Sequence, residues 1–183
     1  FFEDCADLTG WTGGSPSVGQ TSPSIDTSRG SPGAPSYGLN SQDLAWIEPP
    51  NVVSLLNKTI TFNVFLPTDP TFAIIQFVFG NDTSGVGQFL KLDARSGSNL
   101  AGLGGTSSAW NVYSGAGSKT SLTSNVWHRI KIQIDSASKV SWFDDETRIE
   151  SGVAVTLEGT VIGPFAAGGT ANVDQICVYD GII

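Results

Sequence analysis

The chain has 183 residues, with 17 acidic against 9 basic side chains, a formal charge of −8, 22 glycines and 9 prolines. That balance excludes a phosphate-backbone partner and an anionic membrane surface, because no basic stripe offsets the repulsion. No apolar run approaches the roughly 20 residues of a membrane span, so neither nucleic acid nor membrane insertion is expected. Length and composition fit one domain spanning residues 1–183, built of many short strands joined by tight turns, with little or no helix.

In chain order, Phe1 to Trp11 reads as a first strand ending in a turn. Thr12 to Pro35 is rich in Gly, Ser, Pro and Thr and reads as a long surface loop, with short strands near Val18 and Ile25. Tyr37–Leu39 and Leu44–Ile47 are further short strands, the second stopped by Pro49-Pro50. Ile60 to Leu66 alternates, with Ile60, Phe62, Val64 and Leu66 on one face. Phe72 to Phe79 is apolar on both faces and is expected in the centre of a sheet. Val86 to Asp93 follows a Gly-Asn-Asp turn, and these three strands are expected to form a meander. Gly97 to Ser108 reads as a loop, and Ala109 to Tyr113 as a short aromatic strand.

The cleanest pattern runs from Asn125 to Glu146. His128, Ile130, Ile132 and Ile134 share one face of a strand, and Trp127, Arg129, Lys131 and Gln133 the other. Asp135 to Lys139 is a polar loop of hairpin length, after which Val140, Trp142 and Phe143 restart an apolar strand. Gly152–Glu158, Val161–Phe165 and Val173–Tyr179 supply the closing strands. Regular strand-turn spacing predicts an all-β, two-sheet antiparallel sandwich.

The absence of methionine and the start at Phe1 are expected of a chain freed of a signal peptide or excised from a longer protein; a secreted, extracellular location is expected. Cys5 and Cys177 lie near opposite ends. First and last strands commonly pair in sandwiches, so a disulfide between them is expected, against the alternative of two separate buried thiols. Asn57-Lys58-Thr59 and Asn81-Asp82-Thr83 match the N-glycosylation acceptor at Asn57 and Asn81.

Four stretches carry a resemblance. Phe2-Glu3-Asp4 with Gly10-Trp11 looks like the opening strand of secreted sugar-binding sandwiches. Trp127-His128-Arg129-Ile130 resembles the tryptophan-led strand of concanavalin A-like and laminin-G-like domains. There a hairpin follows whose second strand ends in an acidic-glycine turn. Trp142-Phe143-Asp144-Asp145 fits that ending, with Glu146 where the glycine often stands. Val173 to Asp180 looks like the closing strand of these jelly rolls. The resemblance implies a jelly-roll sandwich of lectin or glucanase type and directs attention to carbohydrate.

An enzyme on this fold needs paired carboxylates across a cleft, or a base with a cationic partner. No Glu-x-Asp-x-x-Glu or Glu-x-Asp-x-Glu string occurs, and Asp144-Asp145-Glu146 reads as solvated charge at a strand end. The single histidine, His128, is in phase with core isoleucines and reads as a packed residue. No Gly-x-Ser-x-Gly elbow is present. No catalytic residue is assigned. A structural calcium, which the resemblance places near the termini, would take Glu3, Asp4 and Asp174, provided the first and last strands meet. Flat aromatic faces with polar neighbours suit a polysaccharide or other glycan, and Trp46, Trp110, Asn111 and Tyr113 are the candidates, while Trp11, Trp127 and Trp142 are assigned to the core. The expected function is non-catalytic carbohydrate binding. The alternatives are a homo-oligomeric or filamentous subunit of a surface fibre, coat or appendage, and a small polysaccharide lyase or glycoside hydrolase.

Overall fold

The computed structural model describes residues 2–3, 11–12, 24–26, 36–39, 46–47, 54–67, 73–82, 87–93, 100–105, 111–112, 120–169 and 171–183. Among them are sixteen strands and no helix. They are β1 (Phe2–Glu3), β2 (Trp11–Thr12), β3 (Ser24–Asp26), β4 (Ser36–Leu39), β5 (Trp46–Ile47), β6 (Lys58–Phe65), β7 (Ala73–Asn81) and β8 (Gln88–Asp93). Then come β9 (Leu100–Gly105), β10 (Asn111–Val112), β11 (Thr120–Ser121), β12 (Trp127–Ile134), β13 (Lys139–Asp144), β14 (Thr147–Ala154), β15 (Val161–Gly169) and β16 (Ala171–Asp180).

Two antiparallel sheets result. The first runs β14-β13-β12-β6-β16-β4-β3, with β1 also on β16; the second runs β10-β9-β8-β7-β15-β5-β2, with β11 also on β9. Their inner faces make one core. Ile60, Phe62, Val64, Ile130, Ile132, Ile134, Val140 and Trp142 come from the first sheet, and Phe77, Phe79, Leu90, Leu92, Leu103 and Ile162 from the second. The Phe62 and Phe77 rings stack across the gap at 3.8 Å and 7°. Burying one such ring contributes about 1.5–3 kcal/mol.

The alternating faces of β6 and β12 are as the period-two pattern requires: Ile60, Phe62, Val64 and Leu66 are all within 1% of full burial. β7 is central, and Phe77, Val78 and Phe79 are consecutively buried, as a strand covered on both faces must be. In β16 the ladder to β6 shifts between Asp174 and Cys177, with Gln175 at φ 51. That bulge restores the phase, so Val173, Ile176 and Val178 all reach the core.

Four expectations need correction. β6, β7 and β8 are not a meander: β6 belongs to the first sheet and β7–β8 to the second. The apolar face of β6 is satisfied by packing onto β7 rather than pairing beside it. Gly97–Ser108 is not all loop, because β9 lies within it and pairs along β8; backbone pairing overrides the low strand propensity of glycine. The strand expected at Gly152–Glu158 begins earlier, at Thr147, because a two-residue turn leads directly out of β13. Trp127 is not a core residue. It lies on the outer face of β12, half-buried, with its ring 5.6 Å from that of Phe65 opposite.

Candidate functional site

Two places bring candidate functional residues together, one through side chains and one through strand register. The first arises where β12 begins and β13 ends. The four-residue loop after β12 is held by Asp135, whose Oδ1 accepts the Ala137 and Lys139 N–H groups at 2.8 and 2.9 Å. This fixes the register at Ile134 opposite Val140 and Ile130 opposite Asp144. The chain then reverses through Asp145 and Glu146, at φ 46 and 66, and Asp144 pairs with Thr147. Two left-handed residues are the mark of a type I′ hairpin, whose twist matches that of the strands.

This geometry gathers His128, Asp144 and Asp145. His128 Nδ1 is 2.9 Å from Asp144 Oδ1 and 3.7 Å from Asp145 Oδ2, and Nε2 is 2.8 Å from the Thr123 carbonyl oxygen. The His128 side chain is 6% exposed, Asp144 13% and Asp145 60%. The Arg129 N–H donates to Asp145 Oδ1 at 2.9 Å, and the Asp145 N–H to the Arg129 carbonyl at 3.0 Å. Burial alone would lower the imidazole pKa. The hydrogen bonds to Asp144 and Thr123, with the charges of Asp144 and Asp145, outweigh it and hold the pKa above its ordinary value. Both ring nitrogens face acceptors, which assigns a proton to each. Beside the triad, Lys131 pairs with Glu146 at 2.7 Å and lies 4.5 Å from the centre of the Phe143 ring. The Lys131 cation holds the Glu146 carboxyl below its usual range.

His128 is packed, as the sequence indicates. Asp144 is not merely solvated, however, because it meets the imidazole. Counting ladder positions back from the Asp135 loop sets residue 128 beside 144–146, a signal legible in the hairpin alone. These three residues are of metal-ligating types, and one ligand atom from each lies within 4.8 Å of the others.

The second place is the outer face of the second sheet. Register sets Phe165, Gln76, Lys91 and Gly102 in one row across β15, β7, β8 and β9. Gly163, Val78, Phe89 and Gly104 form the adjacent row. All these positions alternate with the core positions Phe77, Phe79, Leu90, Leu92, Leu103 and Ile162. The sequence offers one pointer to this face, Gln76, the polar residue inside the apolar run 73–79.

The other predicted residues fall as follows. Trp46 lies on β5 and Asn111 on β10, toward opposite edges of the second sheet. With four strands between them they are roughly 24 Å apart along it, so they do not form one site. Trp110 and Tyr113 lie outside the described residues, as do Asp4 and Cys5. β1 does pair with β16, setting Phe2 opposite Cys177 and Glu3 opposite Ile176. Asp174 is fully buried on β16, and its Oδ1 accepts the Gln175 N–H at 2.8 Å. Cys177 is a buried free thiol among the described residues, and Cys5, its expected disulfide partner, lies outside them. Asn57 is exposed in a left-handed turn before β6, and Asn81 ends β7. A cleft of about 440 Å³ lined by Ser54, Leu56, Ser138, Thr156, Glu158 and other residues offers one carboxylate and no aromatic ring, which suits neither a stacked sugar nor a cation.

No family model and no curated protein matches this chain. Solved structures do match it. The cellulose-induced protein Cip1 superposes with a TM-score of 0.71 at 15% identity, over 100% of this chain and 98% of that one. A carbohydrate-binding module, CBM66 from Bacillus subtilis, gives 0.65 at 15%, over 93% and 95%. The endo-β-1,4-glucuronan lyase of the fungus Trichoderma reesei gives 0.58 at 14%, over 97% and 94%. At such low identity the likeness is one of architecture, and with the two-sheet topology it makes this chain a jelly-roll β-sandwich.

Proposed function

We propose that this chain is an extracellular carbohydrate-binding domain without catalytic activity, and that the glycan lies on the outer face of the second sheet. The observation that carries the reading is the pair of rows across β15, β7, β8 and β9. Aromatic positions (Phe89 and Phe165), hydrogen-bonding positions (Gln76 and Lys91) and glycines (Gly102, Gly104 and Gly163) alternate there within a few strands. Sugar recognition asks for a flat apolar surface and a few polar groups. Val78, Gly102 and Gly163 are themselves buried, so a glycan on this face would be met by the positions around them, Phe89, Phe165, Gln76 and Lys91. The structural neighbours named above, a carbohydrate-binding module and a glucuronan lyase among them, favour a polysaccharide as the ligand class.

Catalysis is disfavoured by the chemistry of His128. A general base must present a free lone pair, and both ring nitrogens here face acceptors. Assembly through the β14 edge is disfavoured by Glu150, buried directly opposite Trp142 on that edge strand. An inward carboxylate makes a poor template for a further strand.

The test is a glycan array on the purified chain, with particle size measured in the same buffer. Binding to a defined glycan that is lost in Lys91→Ala and Phe165→Ala, with both variants folded, supports the reading. Absence of binding by a well-folded, large particle replaces it with the structural-subunit alternative. Depolymerisation of a bound polysaccharide replaces it with the enzyme.

A further inference from the structure

We propose that His128, Asp144 and Asp145 form a binding site for a zinc-class divalent cation, distinct from the glycan face and from any calcium held at the termini. The three ligand atoms are His128 Nδ1, Asp144 Oδ1 and Asp145 Oδ2. Two of their separations, 2.9 and 3.7 Å, straddle the roughly 3.3 Å edge of a tetrahedron whose metal–ligand bonds are about 2.0–2.1 Å. Small side-chain movements therefore suffice to seat an ion, which takes the place of the Nδ1 proton.

The surroundings are those a bound ion requires. Nε2 points at the Thr123 carbonyl oxygen at 2.8 Å, so the ring donates its other N–H to a fixed acceptor and leaves Nδ1 to the metal. Asp145 Oδ1 is occupied by the Arg129 N–H, which turns Oδ2 toward the imidazole. The left-handed turn at Asp145 and Glu146 holds that carboxylate against β12. His128 and Asp144 are mostly buried while Asp145 is open to solvent, so an ion enters past Asp145 and keeps its fourth position for water. One imidazole with two carboxylates favours zinc, cobalt or nickel over calcium, which takes six to eight oxygens.

His128 is the only histidine in the chain, so its ring gives unambiguous NMR signals. The experiment titrates metal-stripped, ¹⁵N-labelled full chain with Zn²⁺ and then Ca²⁺, following the ring ¹⁵N resonances, with calorimetry in parallel. The expected result is one Zn²⁺ per chain with a selective shift of the Nδ1 resonance, and no such shift with Ca²⁺. Asp145→Asn keeps the oxygen that accepts the Arg129 N–H, so the turn is retained; it should weaken Zn²⁺ binding at least ~10-fold. An unmoved Nδ1 resonance at saturating Zn²⁺, or undiminished affinity in folded Asp145→Asn, overturns the site.

Discussion

Glu146 occupies a backbone region, φ 66, that costs an ordinary L-residue and costs glycine nothing. What it gains there is a 2.7 Å ion pair with Lys131, on a carboxylate that is 68% exposed. Exposed pairs of this kind contribute little. Glu146→Gly is therefore expected to raise the thermal midpoint by a few degrees, measured by circular dichroism. A lowered midpoint would mean that the Lys131 pair and its position over the Phe143 ring outweigh the strain. The sequence carries this point in plain view, because a glycine is usual at that turn in the domains it resembles. The side chains that gather around His128 were legible only in part. Alternation identifies the histidine as packed, but its partners come from hairpin register, which no single residue displays.

Elements closed by local turns could be read, and elements joined across the sandwich could not. β12 and β13 are fixed by Asp135 and its two backbone donors, so their extent follows from the sequence almost residue by residue. β6 has an equally clean alternation, yet alternation states only that one face is buried, not against what. The structure sets β6 and β7 in opposite sheets, with Phe62 on Phe77. That placement has a measurable consequence. Phe62→Ala should cost about 3–5 kcal/mol in urea unfolding, because it empties the gap between two layers that cannot both close over it. A loss under about 1 kcal/mol would show that Phe62 does not bridge the sheets. β9 is illegible in the sequence for a different reason. Leu-Ala-Gly-Leu-Gly-Gly has almost no strand propensity of its own and depends on β8 beside it. The proposed glycan face was hidden likewise, since Phe165, Gln76, Lys91 and Gly102 become neighbours only through three ladders.

Across the whole molecule, β16 decides how the parts hold together. It lies inside the first sheet with β6 on one side, and β4 and β1 on the other. Its partners come from residues 2–3, 36–39 and 58–65, so its contacts span most of the chain. Folding rates fall as such separations grow, and refolding is expected in milliseconds to seconds rather than microseconds. Stopped-flow tryptophan fluorescence measures this, and a microsecond phase carrying the full amplitude would contradict it. The position of β16 also bears on how the protein is made. A ribosome delivers residues 58–65 long before residues 171–180, so through most of translation β6 waits with an open edge where its late partner will sit. The nascent chain is most vulnerable to wrong strand pairing during that interval, and the cell's holding chaperones are the agents that would meet it there.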